Sequence, residues 1–149
     1  MTVQAVRIPC IALVSVLLAG CDQHDAGIAT DSGQQIYMAR CAVCHGDNRE
    51  GRAGMYAALA GSPWVDGPPG RLAAIILDGL QGRMGNYEAV MPGWGTILKD
   101  TEIAAVMTWL RQSDGKSPVT PVDVNHIRIV TSARNNFWTA EDLKHLPNP

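Results

Sequence analysis

The chain alternates apolar stripes with polar breaks, and the stripes predict helices. An unbroken apolar run covers Ile8 to Gly20, about a dozen residues, too short to span a bilayer comfortably. Residues 22–31 are polar and aperiodic, which predicts a flexible tether. Ser32-Gly33-Gln34-Gln35 has the form of a capping box. It opens a helix with Ile36, Tyr37, Arg40 and Cys41 at helical spacing, in which Gly33, Tyr37 and Cys41 share a face. A polar, Gly-rich loop follows from Gly46 to Gly54. After Pro69, the positions Leu72, Ile75, Ile76 and Leu80 form one stripe, and Gly79 and Gly82 stop that helix. The same rhythm returns at Ile103, Val106, Met107 and Leu110, with Asp100 as the expected cap. Past Gly115, two repeats of one device predict two short helices: Thr120 with Asp123, and Thr139 with Asp142. Each is flanked by a staple pair, Val119/Val124 and Trp138/Leu143.

Candidate chemistry changes this picture at one place. Cys41-Ala42-Val43-Cys44-His45 is a Cys-x-x-Cys-His run, the pattern of covalent haem attachment. Two neighbouring thiols can add across the two vinyl groups of a haem, and the adjoining His is then held against the iron as an axial ligand. A thioredoxin-like site would need a βαβ setting, which the pattern lacks. A zinc site would need two more ligands, and there is no second Cys pair. A neutral Met sulfur is a soft ligand suited to haem iron. Two Met residues compete for this role. Met91 stands in Met91-Pro92-Gly93, where Pro92 prevents helix and fixes a loop that could aim a side chain at a metal. Met84 lies between Gly82 and Gly85. The turn context favours Met91. Met38, Met55 and Met107 are read as packing.

Gly33, Tyr37 and Cys41-Ala-Val-Cys44-His45-Gly46, together with Met91-Pro92, resemble the haem site of class I c-type cytochromes. The resemblance implies an all-α class I cytochrome c fold, with helices packed around one covalently bound haem c and a C-terminal helical extension. It implies Cys41 and Cys44 as the covalent attachment and His45 and Met91 as the axial iron ligands. It implies that Gly33 and Tyr37 cross the helix carrying Val106 and Trp109. It also implies a carbonyl near Ala57 or Ala58 for the second ring nitrogen of His45. Trp64, Tyr87 and Trp94 are candidates for lining the pocket or meeting a haem propionate. His24, His126 and His145 are read as solvated.

Leu18-Ala19-Gly20-Cys21, at the end of the apolar run that follows Arg7, resembles the lipobox of bacterial lipoprotein signal peptides. That implies cleavage before Cys21 and acylation of its thiol, with several acyl chains giving stable anchoring. The expected organisation is a signal peptide over 1–20, a tether over 21–31, a cytochrome c domain over 32–115 and an extension over 116–149. Every one of the four cysteines then has a role or is removed, so no disulfide framework is needed.

Charge narrows the partners. The chain carries a formal charge of −2 with 12 basic and 14 acidic residues, and no basic face for nucleic acid is implied. Charges around the haem motif are mixed, which predicts weak electrostatic steering and docking through apolar contacts. The expected activity is one-electron transport on the periplasmic side of a bacterial membrane, with the inner membrane implied by Asp22. Expected partners are redox proteins: a dehydrogenase, an oxidase or a reductase. With both axial positions filled there is no vacant iron site, so the chain reads as a carrier and not an enzyme. The alternative is a haem sensor or peroxidase-like protein in which the Met ligand is displaced.

Overall fold

The computed structural model describes residues 23–84, 87–112 and 115–146. Cys21 and the apolar run before it lie outside the described residues. The elements in chain order are α1 (Gln23–Arg40), α2 (Ala42–His45), α3 (Pro63–Asp66), α4 (Pro69–Asp78), β1 (Leu80–Met84), β2 (Tyr87–Met91), α5 (Asp100–Arg111), α6 (Pro121–Val130) and α7 (Ala140–Lys144). Helices packed on one core, with a small hairpin at one side, make this a class I cytochrome c fold.

The frame is the crossing of α1 on α5. Gly33 makes it possible: a Cβ there would penetrate the Ala105 carbonyl and lie 2.9 Å from the Trp109 Cβ. One turn on, Tyr37 is fully buried and its ring lies 4.6 Å from that of Trp109. The expected crossing is thus formed by Gly33 and Tyr37 against Ala105 and Trp109, while Val106 turns toward the interior cleft.

Two expectations about helix starts are corrected. Residues 23–31, expected as tether, belong to α1, so Ser32 sits inside the helix and does not cap it. Nucleating a helix is costly and extending it is cheap, so a turn fixed by packing at Gly33 and Tyr37 can propagate backwards through residues without a strong breaker. Asp100 does not cap α5. Lys99 occupies the cap position, and its N–H donates to Glu102 Oε2 at 2.8 Å. The Asp100 carboxylate is engaged elsewhere, by Arg128 Nε at 2.8 Å and Asn125 Nδ2 at 3.0 Å.

The hairpin is the element that the helical reading did not anticipate. β1 and β2 pair antiparallel, with Leu80 opposite Met91 and Met84 opposite Tyr87. Met91 therefore ends a strand instead of sitting wholly within a loop. Gly85-Asn86 separates the two strands in sequence, and such a pair is a recognised hairpin signal. Gly79 ends α4 as expected, whereas Gly82, also expected to stop a helix, lies within β1.

The last two helices form with the capping devices seen in the sequence. Asp123 N–H donates to Thr120 Oγ1 at 3.2 Å, and Thr120 N–H donates to Asp123 Oδ2 at 2.9 Å. Thr139 and Asp142 repeat the exchange at 3.2 and 3.1 Å. Val119, Val124, Trp138 and Leu143 are all buried, as two staples require. The segment joins the core at Thr108, whose hydroxyl accepts from Val119 N–H at 2.9 Å.

Candidate functional site: an apolar cleft between a histidine and a methionine

The core encloses a cleft of about 260 Å³. Its floor is aliphatic. Leu72, Ile75, Ile76 and Leu80, the stripe read from sequence, all line it, as do Val106 and Leu110 from α5. Cys41, Cys44 and His45 line it from the α1–α2 junction, and Met91 from the end of β2. The four residues picked out for haem are thus brought to one cavity, although Met91 is far from the others in sequence. Trp64 and Trp94 also line it; the side chains of Met84 and Tyr87 lie outside what is described. Val43 and Val90, at 78% and 63% exposure, stand at its rim.

The histidine is oriented by its own loop. Its Nδ1 lies 2.8 Å from the Ala57 carbonyl, one of the two carbonyls anticipated. That bond fixes Nδ1 as the protonated nitrogen and leaves Nε2 with its lone pair, the state a metal-ligating imidazole needs. The loop is tied back at several points. Gly51 N–H donates to the His45 carbonyl at 2.7 Å, and Leu59 and Ala60 N–H both donate to the Arg49 carbonyl, at 2.8 and 3.1 Å. Arg49 reaches across to donate to the Leu110 carbonyl at 3.1 Å, and its guanidinium lies 5.3 Å from the Trp109 ring centre. Tyr37 O–H donates to the Gly46 carbonyl at 2.6 Å. Burial pushes that phenol up to about 12.

Cys41 and Cys44 are not joined in a disulfide, and both are half-buried. Burial, with a smaller contribution from the neighbouring Cys44, pushes the Cys41 thiol up to about 11. Such a thiol is not the low-pKa thiolate of a thioredoxin-type site. Among the described residues, no three His, Cys, Asp or Glu side chains gather as a metal ion would require, so a zinc site has no further ligands to draw on. A flat apolar group, fixed at one edge by two thiols and faced by an imidazole and a thioether, suits this donor set and this lining.

Comparison with known proteins agrees with the site. Residues 28–110 match the family described as cytochrome c oxidase, cbb3-type, subunit III. The chain belongs to that family of cytochrome c domains and carries one covalently attached haem c. It is similar to cytochrome c-552 of Thermus thermophilus, 32% identical over 78% of this chain and 84% of that protein. It is also similar to the cytochrome c subunit of the quinone alcohol dehydrogenase of Gluconacetobacter polyoxogenes, 35% identical over 67% of this chain. A third relative is the cbb3-type cytochrome c oxidase subunit FixP of Azorhizobium caulinodans, 34% identical over 58% of this chain. The chain spans only 23% of the length of the alcohol dehydrogenase subunit and 28% of the oxidase subunit. Two of these relatives are thus named as subunits, one of a dehydrogenase and one of an oxidase.

The sequence assigns no lining role to Arg40, whereas Tyr56 and Leu59 lie in the segment from Tyr56 to Gly61 that the resemblance puts on the histidine side of the haem. Leu59 carried a signal, as an isolated large apolar side chain in an otherwise small-residue stretch. Arg40 carried none. No helix among the described residues is long and apolar enough to cross a membrane.

Proposed function

We propose that the chain is a one-electron carrier on the periplasmic side of a bacterial membrane, with Cys41 and Cys44 holding the haem and His45 and Met91 its iron. The observation that carries this reading is that all four line one aliphatic cleft, with His45 Nδ1 already engaged by Ala57. When bound, the haem supplies reversible exchange of a single electron at its iron. The chain's own residues do the rest. Ala57 holds the imidazole in one tautomer. Leu72, Ile75, Ile76, Val106 and Leu110 keep water from the ring, and a dry, low-dielectric surround is one of the protein's levers on potential. Val43 and Val90 form an apolar rim where a partner can approach the ring edge.

Residues 1–20 are read as the lipoprotein signal and Cys21 as the acylated residue, which would tether the cytochrome c domain of residues 32–115 to the membrane. The helical start of α1 at Gln23 leaves almost no slack between anchor and domain. Such a carrier fits between a membrane dehydrogenase and a downstream acceptor, and the dehydrogenase subunits among its relatives favour that place.

The test is Met91→Ala beside Met84→Ala. Met91→Ala leaves haem attached, lowers the potential on the order of 0.1 V within the roughly 0.8 V that axial ligands span, and lets the reduced protein bind carbon monoxide. If Met84→Ala does this instead, the ligand assignment is wrong. Carbon monoxide binding by the unaltered protein would favour a sensor.

A further inference from the structure

The family match ends at residue 110, and residues beyond it have no role in the reading above. Beside their packing on α4 and α5, three sets of their contacts fall on the segment after Met91 or on the turn and strand that face it.

Arg128 of α6 supplies the first. Its Nη1 donates to the Gly95 carbonyl at 2.6 Å, its Nη2 to the Leu98 carbonyl at 3.3 Å, and its Nε to Asp100 Oδ1 at 2.8 Å. One planar group thus spans the chain from just after Met91-Pro92-Gly93-Trp94 to the start of α5. A guanidinium has the fixed fork that such a span needs, and an ammonium does not.

Trp138 supplies the second. It forms a parallel bridge to Leu80, in which Gln81 N–H donates to the Trp138 carbonyl at 2.8 Å and Trp138 N–H donates to the Gly79 carbonyl at 3.1 Å. Its indole N–H donates to Asp78 Oδ2 at 3.1 Å. β1 is therefore paired with β2 on one side and bridged to Trp138, and Leu80 is the residue opposite Met91.

Phe137 supplies the third. A Cβ on Gly79 would lie 2.5 Å from the Met91 carbonyl, 2.6 Å from Phe137 Cδ1 and 2.8 Å from Gly93 N. The backbone on either side of Met91 and the Phe137 ring thus close on the same point. Between these contacts the loop rests on the end of α4. Trp94 N–H donates to the Ile76 carbonyl at 2.7 Å and Gly95 N–H to the Leu77 carbonyl at 3.0 Å, filling carbonyls that a helix end leaves open.

We propose that the C-terminal extension is a clamp on the methionine side of the haem cleft, with Arg128 and Trp138 as positioning residues that hold Met91 over the iron. The proposal rests on Met91 being the ligand. A Met sulfur leaves iron when its loop swings out. Bonds that tie down both flanks of the loop make that open state rarer without touching the sulfur. An added ligand binds only the open state, so its apparent affinity rises in proportion to the open fraction.

The test is titration of the haem-loaded ferric protein with imidazole, followed by the loss of the sulfur-to-iron charge-transfer absorption. Arg128→Ala should raise the apparent imidazole affinity about tenfold, which is ~1.4 kcal/mol and on the scale of one hydrogen bond to a charged donor. Trp138→Phe, which keeps the ring and the backbone bridge but loses the indole N–H, should raise it about threefold. Arg128→Lys should fall between wild type and Arg128→Ala, and it replaces that variant if Arg128→Ala does not fold. Ile103→Val, a buried change in the first turn of α5 that removes none of these hydrogen bonds, should lower thermal stability and leave imidazole affinity unchanged. Met91→Ala separates the two layers. If it leaves imidazole affinity unchanged, Met91 is not the ligand. If it opens the site while the Arg128 and Trp138 variants match Ile103→Val, the ligand stands and the clamp is overturned.

Discussion

The two walls of the cleft are built in opposite ways. The histidine wall is held mainly at short range: the His45–Ala57 bond joins residues 12 apart and the Tyr37–Gly46 bond joins residues 9 apart, with Arg49 to the Leu110 carbonyl, 61 apart, as a long-range tie. The methionine wall is assembled from distant chain: Arg128 reaches back 33 residues to Gly95, and Trp138 reaches back 60 to Asp78. A wall made of short loops orders at small closure cost and needs little from the rest of the fold. A wall made of distant segments exists only when the whole domain has closed. The histidine side should therefore tolerate insult locally, whereas the methionine side should transmit it.

The strongest way to break this contrast is a matched pair of glycine changes at the two helix ends that lead into the walls. Gly46 ends α2 at φ +78 and Gly79 ends α4 at φ +84, both with extended ψ, a region open essentially to glycine alone. The backbone strain of an alanine is thus shared, and the neighbours differ. At Gly79 the new Cβ meets backbone, the Met91 carbonyl and Gly93 N, neither of which can rotate away. Gly79→Ala is expected to cost on the order of 4 kcal/mol and to weaken the charge-transfer absorption of the ferric protein even where it remains folded. Denaturant unfolding, together with that absorption, checks both. Full retention of the absorption would mean that Met91 does not feel its flank.

At Gly46 the three atoms nearest the new Cβ all belong to the carboxylate of Glu50, an exposed side chain that can swing aside at the loss of its 2.9 Å bond from Asn48 N–H. Gly46→Ala should therefore cost about 2 kcal/mol, most of it backbone strain, and leave the methionine absorption intact. Equal losses at the two glycines in a denaturant titration would erase the distinction between the walls.

The same contrast explains what could be read from sequence. Cys41, Cys44 and His45 belong to one short motif, and the loop that serves His45 follows at once, so the family resemblance could be carried along it to an acceptor at Ala57 or Ala58. The aliphatic stripe of Leu72, Ile75, Ile76 and Leu80 follows from helical period, although Leu80 turned out to start a strand. Met91 could be picked by its turn, but nothing local says what holds it. Arg128 falls in a helix as an ordinary basic residue, and only the folded chain shows the three groups that it joins. The α1 start misled for a related reason. Ser32 and Gln35 satisfy a local cap pattern, but packing of Gly33 against α5 decides where the helix is firm, and extension from there overrode the cap.

The smallest effect sharpens the histidine side alone. Tyr37 is fully buried, and its hydroxyl serves one local acceptor, Gly46. Tyr37→Phe keeps the ring against Trp109 and loses that bond, so it should cost about 1 kcal/mol at neutral pH. The pH dependence gives this loss a signature. The phenol titrates at 10.0 when unfolded and about 12 when folded, because burial disfavours the phenolate. Below pH 10 it is neutral in both states and its contribution is complete. Between pH 10 and 12 the unfolded chain releases the proton while the folded protein retains it, so the contribution falls as pH rises. Phenylalanine has no such proton. The stability gap between wild type and Tyr37→Phe should therefore shrink and then reverse across that interval, since about two pKa units outweigh about 1 kcal/mol, as measured by denaturant midpoints at successive pH values. A gap that holds constant or widens would mean that the phenol opens to solvent before the domain unfolds, and that the histidine wall is less firmly closed than its short-range bonds imply.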